Sequence, residues 1–284
     1  MERIEVLKTV KMYIGGNFPR TESGRYYTLK TKNKHVAHVC LASRKDFRNA
    51  VVEAGKALSS WQDRTAYNKS QIVYRIAEIL EGRKLQFISD MQKEGLSKLS
   101  AENEFNESVD RLVYYAGWCD KYTQIFSSVN PVNASYFNFS IPEPMGIVAI
   151  LPAKSSLLGM VNVLIPAIAG GNTCIYLANY QFPLTAINFA EVLQVSDLPV
   201  GVINILTGDE QELHTFFANH MDVNALVYSN SHLTNILQEL GALNVKRIIF
   251  QNNHEESPYY ILQLQEIKTT WHPIENIAPG KASY

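Results

Sequence analysis

A cysteine thiolate is the natural nucleophile for attack on a carbonyl, and this chain holds three cysteines, Cys40, Cys119 and Cys174. Cys40 and Cys174 lie in apolar, strand-like runs, and Cys119 lies in the apolar stripe of a long helical segment. Burial in such places raises a thiol's pKa, so three inert core residues are expected. The seven histidines (His35, His38, His214, His220, His232, His254 and His272) show no metal-ligand spacing. His35 and His38 are three apart in a strand-like run and point to opposite faces, so no metal site is expected. The motifs GxGxxG, GxSxG and HExxH are absent, as is a phosphate loop of the GxxxxGK type.

Some other kinds of function are set aside by composition. There are 26 Lys+Arg against 27 Asp+Glu in 284 residues, a net charge of −1, whereas a dedicated nucleic-acid binder is normally basic. With 46% hydrophobic and 19% charged residues the chain reads as globular. Chains of this size bury roughly three quarters of their unfolded surface and need no disulfide or metal staples. An odd number of cysteines without a CxxC pair, and a charged start (Met1-Glu2-Arg3-Ile4-Glu5) without an apolar leader, suit a reducing, cytoplasmic setting. The stretch from Ser155 to Ala190 carries no charge, but Pro166, Gly170-Gly171-Asn172 and Asn179 divide it. A membrane-spanning helix needs about 20 continuous apolar residues, so a buried helix followed by a buried strand is the better reading.

The elements that would position any site follow from hydrophobic period and turn residues. Met12–Asn17, Arg25–Thr31 and His35–Leu41 read as short strands, with Gly15-Gly16-Asn17 as a turn. Asp46–Trp61, Thr65–Glu81 and Ser100–Ser127 read as helices. The last carries Phe105, Val109, Leu112, Ala116 and Cys119 on one stripe, an ordinary core face rather than an interaction seam. Tyr136–Ile141 is extended, closed by Pro142 and Pro144. From Gly146 the pattern alternates between strands (146–151, 173–177, 202–206, 225–228, 245–250) and helices (157–169, 184–193, 209–219, 232–240). Alternation of short apolar strands with helices means βαβ units, a doubly wound parallel sheet, and a binding crevice at the strand C-termini.

Several segments, in order, resemble the aldehyde dehydrogenase superfamily from about Val10 to Leu262. Tyr13-Ile14-Gly15-Gly16 is similar to the family's opening hairpin. Arg111–Trp118 is similar to its Tyr-Ala-Gly-Trp segment, and Glu143–Pro152 to the stretch that ends in Pro-Trp-Asn. Ile165–Thr173 resembles its Pro-Ala-Leu-Ala…Gly-Asn-Thr run, and Leu198–Gly208 its Pro-x-Gly-Val-x-Asn…Gly run. The resemblance implies a Rossmann-like sheet that binds NAD or NADP without GxGxxG. It implies chemistry by a cysteine nucleophile, an asparagine oxyanion donor and a glutamate general base.

At the positions that carry this chemistry the match fails. Pro152-Ala153-Lys154 stands in place of Pro-Trp-Asn, so the oxyanion asparagine aligns with Lys154. Leu177-Ala178-Asn179-Tyr180 replaces Lys-Pro-Ala-Glu, which in the family grips the adenosine ribose. Ser229-Asn230-Ser231-His232 replaces a Thr-Gly-Ser-Thr turn, losing a glycine that lets backbone approach the pyrophosphate. In Phe250–Pro258 the general base becomes Gln251, an amide that cannot take up a proton at neutral pH. The family's nucleophile loop has no counterpart. The resemblance therefore maps cofactor contacts, if any, to Pro152, Lys154, Leu177, Tyr180, Gly208 and Ser231, with Lys154 and Gln251 as degenerate catalytic positions.

After Leu262, Leu264–Trp271 resembles the family's final strand, which pairs with a hairpin arm matching Ser127–Ile141 to make an oligomerisation flap. The expected organisation is 1–126 for N-terminal strands and helices, 127–142 for the arm, 143–262 for the Rossmann-like half, and 263–284 for the arm strand and tail. The arm should project and pair with 264–271. An apolar patch is expected near Pro152, Leu157 and Leu158, unless Lys154, Ser155 and Ser156 cover it. The function expected is a catalytically inactive family member acting as a structural or regulatory subunit, with a full-length aldehyde dehydrogenase as natural partner. The alternative is an NAD(P)-binding protein, or an NAD(P)-dependent oxidoreductase acting on aldehydes, with a weakened cofactor site.

Overall fold

The computed structural model describes residues 6–32, 34–252 and 255–274. Asn253 and His254 of the general-base segment, Met1–Glu5, and the tail from residue 275 lie outside the described residues.

β1 (Lys8–Val10) pairs in parallel with β3 (Lys34–Cys40), which pairs antiparallel with β2 (Tyr26–Thr31). The strand expected at Met12–Asn17 is instead a turn. Gly15 and Gly16 adopt positive φ, Gly15 N–H donates to Asn204 Oδ1 at 2.9 Å, and only isolated bridges, Tyr13–Ile205 and Ile14–Asn17, remain among the described residues. Four helices follow: α1 (Arg44–Gln62), α2 (Ala66–Gly82), α3 (Lys84–Lys93) and α4 (Lys98–Trp118). The helix expected through Ser127 stops at Trp118 and restarts as α5 (Tyr122–Phe126). Gly117 weakens its last turn, and Lys121 folds back to donate its Nζ to Gly117 O at 2.5 Å. Along the α4 stripe Phe105, Leu112, Ala116 and Cys119 are all buried, which makes it a core face.

β4 (Ser128–Asn130) and β5 (Tyr136–Pro144) precede the alternating half. That half comprises β6 (Ile147–Ile150), α6 (Leu157–Ala169), β7 (Thr173–Leu177), α7 (Pro183–Gln194), β8 (Ile203–Leu206), α8 (Glu210–Asn219), β9 (Ala225–Tyr228), a 3-10 turn at Ser231–Leu233, α9 (Thr234–Ala242) and β10 (Arg247–Phe250). α10 (Tyr259–Leu262) and β11 (Gln265–Pro273) close the described chain.

All pairings in the central sheet are parallel, in the order β10-β9-β6-β7-β8. Connections leave β6 toward β7 on one side, and the chain later returns to β9 on the other, so the topological switch point lies between β6 and β9. Strand alternation sends Ile147, Ala149 and Leu151 to a core under α1, α8 and α9, and Val148 and Ile150 to the larger core under α2–α4, α6 and α7. Both faces are covered, which is why these strands read as unbroken apolar runs.

The arm forms a separate three-stranded antiparallel sheet, β11-β5-β4. β5 and β11 pair along their full length, from Pro144 opposite Gln265 to Tyr136 opposite Pro273, the pairing expected of these two segments. Pro142 does not end β5, which runs on to Pro144. β4 pairs only as far as Ser140, so beyond it that edge has no ladder needing a proline N–H.

The expected apolar patch is absent. Leu157 and Leu158 are buried because α4 packs over the start of α6.

α7 has no capping side chain of its own. Glu94, just past α3, supplies one: its Oε1 accepts from Leu184 N–H at 2.6 Å, and its Oε2 accepts from Thr185 Oγ1 at 2.5 Å. Burial pushes this carboxyl from its ordinary 4.5 up to about 8, against the pull of those hydrogen bonds. Between these values the folded state binds more protons than the unfolded state, so stability is expected to fall as pH rises from about 4.5 to about 8. Urea midpoints across that window measure the slope, and Glu94→Gln, which keeps an acceptor but cannot titrate, is expected to flatten it.

Candidate functional site

At the switch point the C-terminal ends of β6 and β9 part around a polar crevice of about 290 Å³. Its walls come from three strand ends and the first turn of α8. Ser229 Oγ donates to Pro152 O at 2.7 Å and Asn179 Nδ2 to Ala153 O at 2.8 Å, so both side chains are spent on lacing strand ends together. Asn230 Nδ2 donates to Glu210 Oε2 at 3.0 Å, while Glu210 Oε1 is shielded from solvent without a hydrogen-bond partner. Burial raises the Glu210 carboxyl pKa.

Three of the six mapped contact residues line this crevice: Pro152, Lys154 and Ser231. Lys154 is exposed and makes no hydrogen bond or ion pair among the described residues. The other three lie elsewhere, each for a visible reason. Leu177 ends β7 on the inward face and is wholly buried in the apolar core under α1. Gly208 is buried where a Cβ would come within 3.0 Å of Leu213 and 3.3 Å of the Ala42 nitrogen, so its role is close packing of the β3–α1 junction. Tyr180 turns away to stack on Tyr27, centroids 3.9 Å apart, while Tyr27 OH donates to Tyr180 O at 2.9 Å. Tyr180 thereby lines a different cavity, of about 490 Å³, beside Lys30 and Glu94.

Gln251 follows β10 and is buried, its Nε2 donating to Asn162 O at 3.3 Å. That carbonyl sits inside α6, and the residue four positions on, from which a helical N–H would come, is Pro166. The amide therefore repairs a proline defect, a role a carboxylate could not fill because it has no hydrogen to donate. Arg111 of α4 completes this knot. Its Nη1 donates to Asn162 Oδ1, and also to Glu255 O at 3.1 Å.

Sequence reading missed two residues here. Glu104 Oε1 accepts from Leu158 N–H at 3.1 Å, so α4 caps the α6 N-terminus with a carboxylate whose pKa burial raises. That end of the helix is thus no vacant anion site. Glu210 was also overlooked. Its only sequence signal is an acidic residue just after Gly208-Asp209 at a strand-to-helix turn.

The three thiols are buried. Burial pushes Cys119 up to about 12, and raises Cys174 further. Native protein is expected to react with an aromatic disulfide reagent at none of them, with all three appearing after unfolding. No group of three or more His, Cys, Asp or Glu among the described residues is placed to hold a metal, and no described helix is long and apolar enough to cross a membrane.

Comparison with known proteins places this geometry. The aldehyde dehydrogenase family model matches residues 23–252. Aldehyde dehydrogenase family 2 member B4, mitochondrial, of Arabidopsis thaliana is 30% identical over 268 residues, covering 90% of this chain and 49% of the relative. The aldehyde dehydrogenase of Aspergillus niger is 28% identical, covering 84% of this chain and 49% of its own length. Among solved structures, the NAD+ complex of the Bacillus cereus aldehyde dehydrogenase superposes with a TM-score of 0.80 at 25% identity, over 85% of this chain and 50% of that one. The chain spans about half the length of the relatives it matches. On this fold, and over most of its residues, the chain belongs to the aldehyde dehydrogenase family.

Proposed function

We propose that these 284 residues form a non-catalytic member of the family that serves as a structural or regulatory subunit of an aldehyde dehydrogenase assembly. The observation that carries the reading is Gln251. At the position the resemblance gives to the general base stands a buried amide committed to the Asn162 carbonyl. Lys154 at the oxyanion position and three buried thiols support it.

The arm supports the partner half of the reading. On its sheet Val129 and Phe137 of one face, and Ile267 and Trp271 of the other, are exposed. We take segments 127–141 and 264–271 as the docking arm for a full-length aldehyde dehydrogenase, 1–126 and 143–262 as the body it belongs to, and the cytoplasm as the setting. Co-purification at native expression with mass spectrometry tests this. Recovery of a full-length aldehyde dehydrogenase in fixed stoichiometry is expected. Recovery of the monomer alone, under conditions that keep authentic family oligomers intact, rules the proposal out.

A second reading, retained nucleotide binding, is favoured by the open crevice at the switch point and by the NAD+ complex of the Bacillus cereus relative. Calorimetry with millimolar NAD and NADP tests it: weak binding is expected, and no heat excludes it.

A further inference from the structure

A cavity of about 250 Å³ lies between α1 and α8, at the far end of α8 from the switch-point crevice. Arg44 and Arg48 of α1 line it, with Phe216 and His220 from the end of α8 and the buried ring of Phe47. The ten residues of α8 put about 15 Å between this cavity and Glu210. Arg44 and Arg48 are four apart and share one helix face. Both are exposed, and neither guanidinium has a hydrogen bond or ion pair among the described residues. Like charges at that spacing repel, and Arg44 sits in the first turn of α1, where the helix dipole disfavours a cation. The local acids give no relief. Glu22 holds Lys45, and the Asp46 carboxylate is spent on Ser43 and Thr21 at the α1 cap. No carboxylate lines the cavity. Helix stability does not account for this pair of arginines, whereas a bound anion does. We propose that Arg44, Arg48 and His220 form a binding site for a phosphate dianion, free or as the monoester of a small molecule. The site is separate from the crevice, and the proposal stands whether or not a nucleotide binds there.

The donors are held in place before any anion arrives. The Arg44 guanidinium lies over the Phe216 ring, 5.6 Å from its centroid, a cation–π contact that orients the fork. Asp222 N–H donates to His220 Nδ1 at 3.3 Å, so the neutral imidazole carries its proton on Nε2 and remains a donor. Phe47 packs edge-on against that imidazole, centroids 5.7 Å apart. Lys246 Nζ donates to His220 O at 2.7 Å and to Val223 O at 2.8 Å, which caps the end of α8 and adds positive charge beside the imidazole. Burial lowers the His220 pKa, and Lys246, Arg44 and Arg48 push the same way. The Asp222 carboxylate, 3.9 Å from Nδ1, opposes them. Two guanidinium forks and an imidazole N–H offer more donors than the two oxygens of a carboxylate fill. The three terminal oxygens and double charge of a phosphate match them. The volume falls below the roughly 300 Å³ at which drug-sized pockets begin, which suits a small ester. An extended polyanion would instead meet Asp222 beside His220 and a chain of net charge −1.

Calorimetric titration with inorganic phosphate and with glycerol 3-phosphate, at fixed ionic strength, tests the assignment. The proteins are the wild type, Arg44→Gln, Arg48→Gln and Lys45→Gln, with thermal melts confirming that each is folded. Saturable binding to the wild type is expected, weakened at least about tenfold by Arg44→Gln and by Arg48→Gln, the worth of one charge-assisted hydrogen bond. Lys45→Gln removes an adjacent cation already held by Glu22 and should leave the affinity unchanged. Tighter binding of glycerol 3-phosphate assigns the site to an ester, and equal or weaker binding assigns it to free phosphate. No saturation by either anion at millimolar concentration overturns the proposal. An equal loss in Lys45→Gln overturns it too, because the attraction would then be the general field of the surface. Acetate that displaces phosphate at equal concentration overturns the choice of a phosphate dianion.

Discussion

Gln251→Glu, which writes the general-base residue type back into the chain, is expected to destabilise it by about 3 kcal/mol rather than restore chemistry. The substitution removes the hydrogen that Gln251 Nε2 gives to the Asn162 carbonyl and sets a buried carboxylate against that oxygen. Denaturant midpoints measure the loss. Pro166→Ala isolates its cause, because it returns a helical N–H to the same carbonyl. In a double-mutant cycle the penalty of Gln251→Glu should shrink by roughly 1–2 kcal/mol in the Pro166→Ala background. An equal penalty in both backgrounds would detach Gln251 from the helix defect.

The second large effect is expected at Asn172. α6 ends in a Schellman motif: Gly171, at positive φ, donates to Ile168 O at 2.9 Å, and Asn172 N–H donates to Ala167 O at 3.1 Å. The fully buried Asn172 side chain then joins three parts of the fold. Its Oδ1 accepts from Gly146 N–H at 3.0 Å, just before β6, and its Nδ2 donates to Ala167 O and to Leu264 O, each at 3.1 Å. Asn172→Ala leaves the Gly146 N–H without its acceptor and takes one donor each from Ala167 O and Leu264 O, which keep the Asn172 N–H and Gln265 Nε2 respectively. About 2–4 kcal/mol should be lost in equilibrium unfolding. Because Leu264 leads directly into β11, amide exchange along β5 and β11 should rise more than along β7. A loss below about 0.5 kcal/mol would show that water replaces all three contacts.

What the sequence disclosed and what it hid divide by distance along the chain. Residues 146–250 were legible because parallel strands buried on both faces are apolar throughout and bounded by glycines. The limits of α6, β7 and β9 fall where hydrophobicity and turn residues put them. α3 was not read. Its buried residues Phe87, Ile88 and Met91 sit among polar neighbours, and it starts without a side-chain cap. The family resemblance located Lys154 and Ser231 in the crevice, but it could not foresee that Tyr180 would pair with Tyr27, 153 residues earlier. The Gln251–Asn162 bond and the Glu94 cap on α7 span 89 and 90 residues, beyond the reach of local pattern. Substitution at a motif position told that a proton acceptor was gone; only the fold told what the amide does in its place.

The central claim is that this chain keeps the family's nucleotide-type fold while its own residues no longer perform the family's chemistry. The most direct measurement is NAD(P)H formation by the purified chain, with aliphatic and aromatic aldehydes and with either nucleotide, at protein concentrations high enough to see a single turnover. The account predicts no nucleotide reduction and no covalent adduct on Cys40, Cys119 or Cys174. Aldehyde-dependent turnover that disappears when one of these cysteines is replaced by alanine, in a variant that still folds, would contradict it.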